Sequence, residues 1–283
     1  MLAVGAAVIA IGVAIILFRA RDRWSSDTED VRQQLEAANI VREDDEFSTR
    51  QIEGLPAPVQ RYFATVLKNH QPVITHARVG SKGTFNMGEP SASAWKPFTA
   101  VQDFYPGAPG FVWDARVRMM PGVNAFVRDA FAGGTGSMFA SVVGVVPVAD
   151  AHGSPEIARG ALMRYIAEMP WFPTAMLPGQ GVTWTAVSDQ RARATLTAGG
   201  TTASVEFEFG PDGLMRECRA LRDNDKLHAK LPWGGRYSQW IERDGMKVPG
   251  AAEVYWELPT GMFPYWRGTV EPDYDFTSPP APA

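Results

Sequence analysis

The stretch Gly110–Met119, "GFVWDARVRM", decides the fold. Phe111, Trp113, Ala115, Val117 and Met119 share one side of an extended backbone; Asp114, Arg116 and Arg118 share the other. A period of two with one apolar parity is a strand with a dry face and a wet or ion-paired face. Asp114 and Arg116 either find partners across the sheet, with Arg222, Arg236 and Glu253 on candidate partner strands, or form an anionic-headgroup site.

Working outward, the same period recurs from about Thr75 onward. "WKPFTAVQDFY" groups Phe98, Ala100, Gln102 and Phe104, and "TASVEFEFG" sets Ala203, Val205, Phe207 and Phe209 against Ser204, Glu206 and Glu208. "AAEVYWEL" sets Ala252, Val254, Trp256 and Leu258 against Glu253, Tyr255 and Glu257. "LTAGGTT", "FGPDGL" and "ERDGM" fit short hairpin connections, and "AGGTGS" reads as a hairpin or bend rather than a phosphate cradle. Between the two groups of strands lies "SPEIARGALMRYIAEM", capped by Ser154 with Pro155 at its first position. Its apolar face is Ile157, Ala158, Ala161, Leu162, Tyr165, Ile166 and Met169. A second helix follows Gly54, with Val59, Tyr62, Phe63, Val66 and Leu67 as its stripe. These elements predict an α+β fold: a strongly curved, half-barrel-like antiparallel sheet with helices on its concave side.

The chain opens on the uncharged run Leu2–Phe18, "LAVGAAVIAIGVAIILF", followed by Arg19, Arg21 and Arg23. As a helix it rises roughly 25 Å, and we expect one transmembrane anchor over 1–23. The basic residues after the span predict a single-pass protein of the cell membrane with its C-terminal domain in the cytoplasm. Residues 24–53 read as a juxtamembrane helix and linker, 54–276 as one domain and 277–283 as a disordered tail.

The bulk composition narrows the function. A net charge of -4 over 283 residues, without a long basic run, gives no reason to expect nucleic acid. Cys218 is the one cysteine, so no intramolecular disulfide forms; His70, His76, His152 and His228 lack ligand spacing, so no metal and no cofactor are expected. Phosphate-loop, nucleophile-elbow and zinc-protease motifs are missing.

The segments "LPAPVQRYF", "PGFVWDARV", "RYIAEMPWFPTAMLP" and "PYWRG" resemble those of a bacterial family of membrane-anchored proteins known only as a domain of unknown function. The resemblance runs from about Gly54 to Tyr274 and is most specific around Trp171-Phe172-Pro173-Thr174. It implies no catalytic roles, because the family has no established activity. The order of strands and helix is also similar to the half-barrel of the bacterial lipoprotein carriers, which implies a concave face able to hold acyl chains. Fold alone does not fix function.

Several residues are candidates for a site. Asp129, in "VNAFVRDAF", shares the apolar parity of Val123, Ala125, Val127 and Phe131. It is either a carboxylate inside the concavity or a strand-end partner of an arginine at the rim. Arg164 and Glu168, four apart on the central helix, either line a polar patch beside Trp171 or tie helix to sheet. Trp95, Trp113, Trp184, Trp240 and Trp256 face inward as core or as cavity wall. "SMFASVVGVVPVA", Ser137–Ala149, is either an apolar flap at the cavity mouth or a buried element. The ligand-binding candidates are thus Trp113, Asp129, Arg164, Glu168, Trp171, Trp184 and Trp256. The leading expectation is a membrane-tethered binding protein for a lipid or other apolar small molecule. Two alternatives stay open: an enzyme acting on a membrane-derived substrate with Asp129, Glu168 or Asp114 as acid or base, and a scaffold for another membrane protein.

Overall fold

The computed structural model describes residues 2–40, 45–224 and 227–277. Six strands follow two helices: α1 (Leu2–Ala38), α2 (Ala57–Val66), β1 (Ile74–Asn86), β2 (Trp95–Tyr105), β3 (Gly110–Met120), β4 (Val123–Ala132), β5 (Thr135–Val142) and β6 (Val146–His152). Helix α3 (Pro155–Glu168) and a run of short 3-10 turns over 169–180 then lead to β7 (Thr183–Ser188), β8 (Arg191–Ala198), β9 (Thr201–Phe209), β10 (Met215–Asn224), β11 (Ala229–Arg243), β12 (Met246–Leu258) and β13 (Gly261–Phe276). All thirteen strands join in one sheet, ordered β6-β5-β4-β3-β2-β1-β13-β12-β11-β10-β9-β8-β7. The first meander walks to one edge, α3 crosses to the other, and the second meander walks back until β13 pairs antiparallel with β1.

The sheet is curved, and its connectivity proves it. Seven strands separate β4 from β9, which in a flat sheet would hold them on the order of 35–40 Å apart. Yet the Thr201 hydroxyl on β9 donates to the Gly134 carbonyl in the β4–β5 turn at 3.2 Å. Helix α3 fills the concavity between them. Its N-terminus is capped by Ser154, whose Oγ accepts from Ile157 N at 3.2 Å, with Pro155 in the first turn where no donor is lost.

One end of the concavity is solid. Tyr62 and Phe63 of α2 pack on Phe209 and Trp184, and the 3-10 turns add Phe172, whose ring lies 4.4 Å from that of Phe104. Thr174 Oγ1 accepts from Ile74 N at 3.0 Å, and the Tyr274 hydroxyl donates to the Trp171 carbonyl. The Trp171–Thr174 segment thus plugs the interior where β1 and β13 meet.

Residues 24–38, read from the sequence as part of a juxtamembrane helix and linker, are the second half of α1 and dock on the convex side of the sheet. Trp24, Thr28 and Leu35 recur near helical spacing and are buried against the sheet. The Trp24 ring lies 5.5 Å from Phe126 and 5.7 Å from Phe139, and its Nε1 donates to Asp114 at 2.8 Å. Leu35 packs with Tyr105, Val112 and Ala130 in a second, smaller core. The polar face of β3 is therefore covered by a helix at Asp114 and Arg116, and Arg118 beyond them is exposed. Asp114 pairs with Arg116 and lies opposite Arg128 on β4; Arg222, Arg236 and Glu253, the candidate partners, belong to the distant β10, β11 and β12.

The expected anchor over 1–23 lies at the N-terminal end of the same helix. Among the described residues no helix is long and apolar enough to cross a membrane. The side chains of residues 2–7, 9, 10 and 13, on which much of the expected span rests, lie outside the described ones. The backbone runs unbroken from Leu2 to Ala38, so the run Leu2–Phe18 and the docked segment below it are one helix. At the other terminus Thr277 is tied down, its Oγ1 donating to the Asp45 carbonyl at 2.7 Å; the rest of the expected disordered tail lies outside the described residues.

Candidate functional site

The concavity that α2 and the 3-10 turns leave open is a cavity of about 900 Å³. Pairing across adjacent strands sets Gln102, Trp113, Asp129 and Met138 in one row on its wall. Strand β4 continues to Ala132, so Asp129 is an interior carboxylate and not a strand-end residue at the rim. Opposite this row stand Trp233, Trp256 and Trp266 of the second meander, with α3 supplying Arg164, Ala167 and Glu168. Segments around Met87–Pro90, Leu227 and Leu258–Thr260, together with Val148 of β6, frame the mouth.

The polar part of the wall is one connected cluster. Arg164 Nη1 donates to Asp129 Oδ2 at 2.5 Å, Nε to Glu168 Oε1 at 2.9 Å, and Nη2 to Gln102 Oε1 at 3.1 Å. Gln102 Nε2 closes the ring by donating to Glu168 Oε2 at 2.7 Å. The guanidinium also lies 4.9 Å from the Trp113 ring centroid and 5.0 Å from Phe111. Burial opposes the charge on Arg164, but Glu168 and Asp129 outweigh it and hold the arginine pKa above its ordinary value. Burial raises the Glu168 pKa, with Arg164 and Gln102 pulling against it. Both carboxylates are thus committed to one cation, and α3 is bolted to β2 and β4 by it.

Other lining groups are chemically quiet. Burial pushes the Cys218 thiol up to about 12, so it is no nucleophile at neutral pH. The Tyr237 hydroxyl donates to the Ala167 carbonyl at 2.6 Å and Trp233 Nε1 to Tyr265 Oη at 2.9 Å. Among the described residues, no group of three or more His, Cys, Asp or Glu side chains is placed to hold a metal ion.

Six of the seven sequence candidates line this cavity: Trp113, Asp129, Arg164, Glu168, Trp171 and Trp256. Trp184 does not. It is set in the solid end against Phe63 and Phe207, and its Nε1 donates to the Met176 carbonyl at 3.0 Å. Of the other tryptophans, Trp240 packs beside Tyr62, away from the cavity, and Trp95 carries the Arg267 guanidinium 4.5 Å from its ring. The stretch Ser137–Ala149 forms most of β5, its turn and the start of β6: Met138, Ala140 and Ala149 reach the cavity, Val148 lines it while staying exposed, and Val145 and Val146 are exposed. Sequence reasoning missed Gln102 as a site residue, although a lone amide among Phe98, Ala100 and Phe104 was the signal. It also missed Arg222, Trp233 and Trp266.

A family model matches residues 53–272, most of the chain. The chain belongs to the family of unknown function DUF6920. Among solved structures it is similar to a LolA superfamily protein from Nitrosomonas europaea, at 9% identity over 76% of this chain and 90% of that one, with a TM-score of 0.31. It is also similar to a β-barrel-like protein of the domain of unknown function DUF1849 from Brucella abortus, at 11% identity over 72% of this chain and 99% of that one, with a TM-score of 0.29. No curated protein matches it.

Proposed function

We propose that this DUF6920 protein is a binding protein for a lipid or other apolar small molecule held in the concave cavity. The observation that carries this reading is the wall. A volume of about 900 Å³ is bounded largely by Trp113, Val117, Val127, Trp233, Trp256 and Trp266, while Arg164 engages both carboxylates of its cluster, Asp129 and Glu168. Pockets of this size, largely apolar with a few placed polar groups, are where small molecules bind. An unfilled apolar space of that size also costs stability, which an apolar occupant would recover.

A position beside a membrane belongs to the same reading. Val8, Ile11, Ile15, Ile16 and Phe18 on α1 are exposed, as are Val145, Val146 and the cavity-lining Val148. The β5–β6 turn touches α1 at Ala20, so the two apolar surfaces adjoin. Solvent extraction of the purified protein, with mass spectrometry of what is released, tests the reading. An apolar molecule at near-stoichiometric yield supports it. Its absence, together with no binding of a fluorescent fatty acid, sinks it.

The enzymatic reading has one specific observation in its favour: Asp129 and Glu168 converge in one cavity, and burial raises the pKa of Glu168. Arg164 lies between them and engages both. Asp129→Asn and Glu168→Gln would abolish turnover of a membrane-derived substrate under that reading while leaving apolar-probe binding intact.

A further inference from the structure

Arg222, on β10, is the second arginine in the cavity wall, and its surroundings differ from those of Arg164. Arg164 is engaged by two carboxylates, whereas no carboxylate pairs with Arg222 among the described residues. Its sequence neighbour Asp223 is taken by Arg159 at 2.6 Å. What holds Arg222 is aromatic: its guanidinium carbon lies 5.0 Å from the Trp233 ring centroid and 6.0 Å from that of Trp256. On α3 it passes Gly160, where an added Cβ would stand 3.0 Å from Nε and 3.4 Å from Nη2. The missing side chain is the space that the guanidinium uses.

A guanidinium resting against aromatic rings keeps N–H donors at its edge for a planar anion. A second donor on this wall, a fully buried nitrogen, also lacks a partner. Trp171 is 5% exposed, and its Nε1 has no acceptor among the described residues. Of the lining carboxylates, Asp129 and Glu168 share Arg164, Glu253 is engaged by Arg236 and Arg267, and Glu89 belongs to the 87–90 segment at the mouth. The cavity therefore offers unmatched donors beside a long apolar wall.

We infer that the ligand is an anionic amphiphile, a long-chain carboxylate whose headgroup pairs with Arg222 while its chain lies against the tryptophan wall. This rests on the apolar-cavity reading and adds to it a sign of charge and an anchoring residue. A bidentate arginine–carboxylate pair at a partly buried site is both directional and stronger than a neutral hydrogen bond.

Fluorescence titration of the full chain, stripped of co-purified lipid, with cis-parinaric acid and with its methyl ester at pH 8 tests the inference. The acid should bind at least tenfold more tightly than the ester. Arg222→Gln should bring the acid down to the ester's affinity and leave the ester unchanged, whereas Arg222→Lys should keep part of the preference. Equal binding of acid and ester to the parent overturns the inference and leaves the apolar-cavity reading standing. Full acid preference in Arg222→Gln also overturns it. Binding of neither probe to the parent sinks both. Should Arg222→Gln fail to fold by circular dichroism, Gly160→Ala decides: crowding Nε should cut the acid preference severalfold, and an unchanged preference counts against Arg222.

Discussion

Gly134 and Gly199 meet backbone to backbone where the two halves of the curled sheet close on each other: a Cβ on Gly134 would stand 2.0 Å from the Gly199 carbonyl oxygen. Both residues sit at positive φ, 84° and 53°, in the β4–β5 and β8–β9 turns. The contact brings two remote hairpins together, and it exists because neither residue has a side chain. Gly134→Ala should therefore cost more than left-handed strain alone, which is about 1–3 kcal/mol. Gly153→Ala is the control, with φ 78° and open space around it. Urea titration of both variants isolates the contact, and equal losses would show that it contributes nothing.

Trp113 is a wall residue, bounded on one side by cavity. Phe104 is fully buried and packed against Phe111, Tyr165 and Phe172. Phe104→Ala should cost about 3–5 kcal/mol. Trp113→Ala should cost clearly less and instead weaken fatty-acid fluorescence binding severalfold. Denaturant titration beside a binding curve checks both halves.

Removing Arg164 alone strands two carboxylates in the cavity wall. Arg164→Met should destabilise by about 3–5 kcal/mol. Adding Asp129→Asn and Glu168→Gln to it should recover much of that loss. In the parent, burial raises the folded-state pKa of Glu168, so the protonated form is favoured on folding. Its contribution is fully present below its unfolded value and declines as pH rises through the folded one; Glu168→Gln should flatten that slope. Chemical unfolding at several pH values reads both effects.

Asp103 is buried on the convex face, where it binds α1 and β1 together. Arg32 Nε donates to it at 2.9 Å, His76 Nε2 bonds it at 3.0 Å and Arg78 Nη1 donates at 3.1 Å. Burial opposes the charge on His76, but Asp103 and Asp275 prevail and raise its pKa above 6.5. Stability from charged His76 is thus full below about pH 6.5 and lost as pH rises through the folded value. Burial likewise opposes the Asp103 charge, yet His76, Arg32 and Arg78 keep its pKa low, so its contribution is lost only as strong acid is approached. Thermal unfolding between pH 5.5 and 8.5 should show a fall that His76→Gln abolishes.

The exposed valines of β6 invite a direct assay. Val146→Asp with Val148→Asp should reduce co-sedimentation with phospholipid vesicles severalfold while leaving the circular dichroism spectrum unchanged. Undiminished sedimentation would argue against a membrane-facing mouth.

The sequence carried the elements better than their faces. Parity alone put Trp113, Asp129 and Gln102 on one side, because a strand has only two. Helical spacing alone brought Arg164 to Glu168. Neither rule says which residues meet across the curved sheet, so Arg222 was a candidate partner of Asp114 when its neighbours are Trp233, Trp256 and Gly160. The covering of β3's charged face was hidden for a similar reason. Asp114, Arg116 and Arg118 read as a wet or ion-paired face, and only the docking of Trp24 covers Asp114 and Arg116, while Arg118 stays exposed. Trp184 and Trp113 look alike in sequence; what separates them is which end of the concavity α2 fills.

The pairing of β1 with β13 sets the timetable of folding. In a chain that emerges N-terminus first, β1 can pair with β2 at once, but its other edge must wait for Gly261–Phe276. At ribosomal rates of about 5–20 residues per second, that wait is on the order of 10–35 s. Throughout it the unfinished first meander presents an open strand edge, with Val79 and Ala77 beside it, to any neighbouring nascent chain. The last strand made is the one that removes that hazard, so nascent chains stalled or truncated before Gly261 should be chaperone clients or aggregates rather than smaller folded domains.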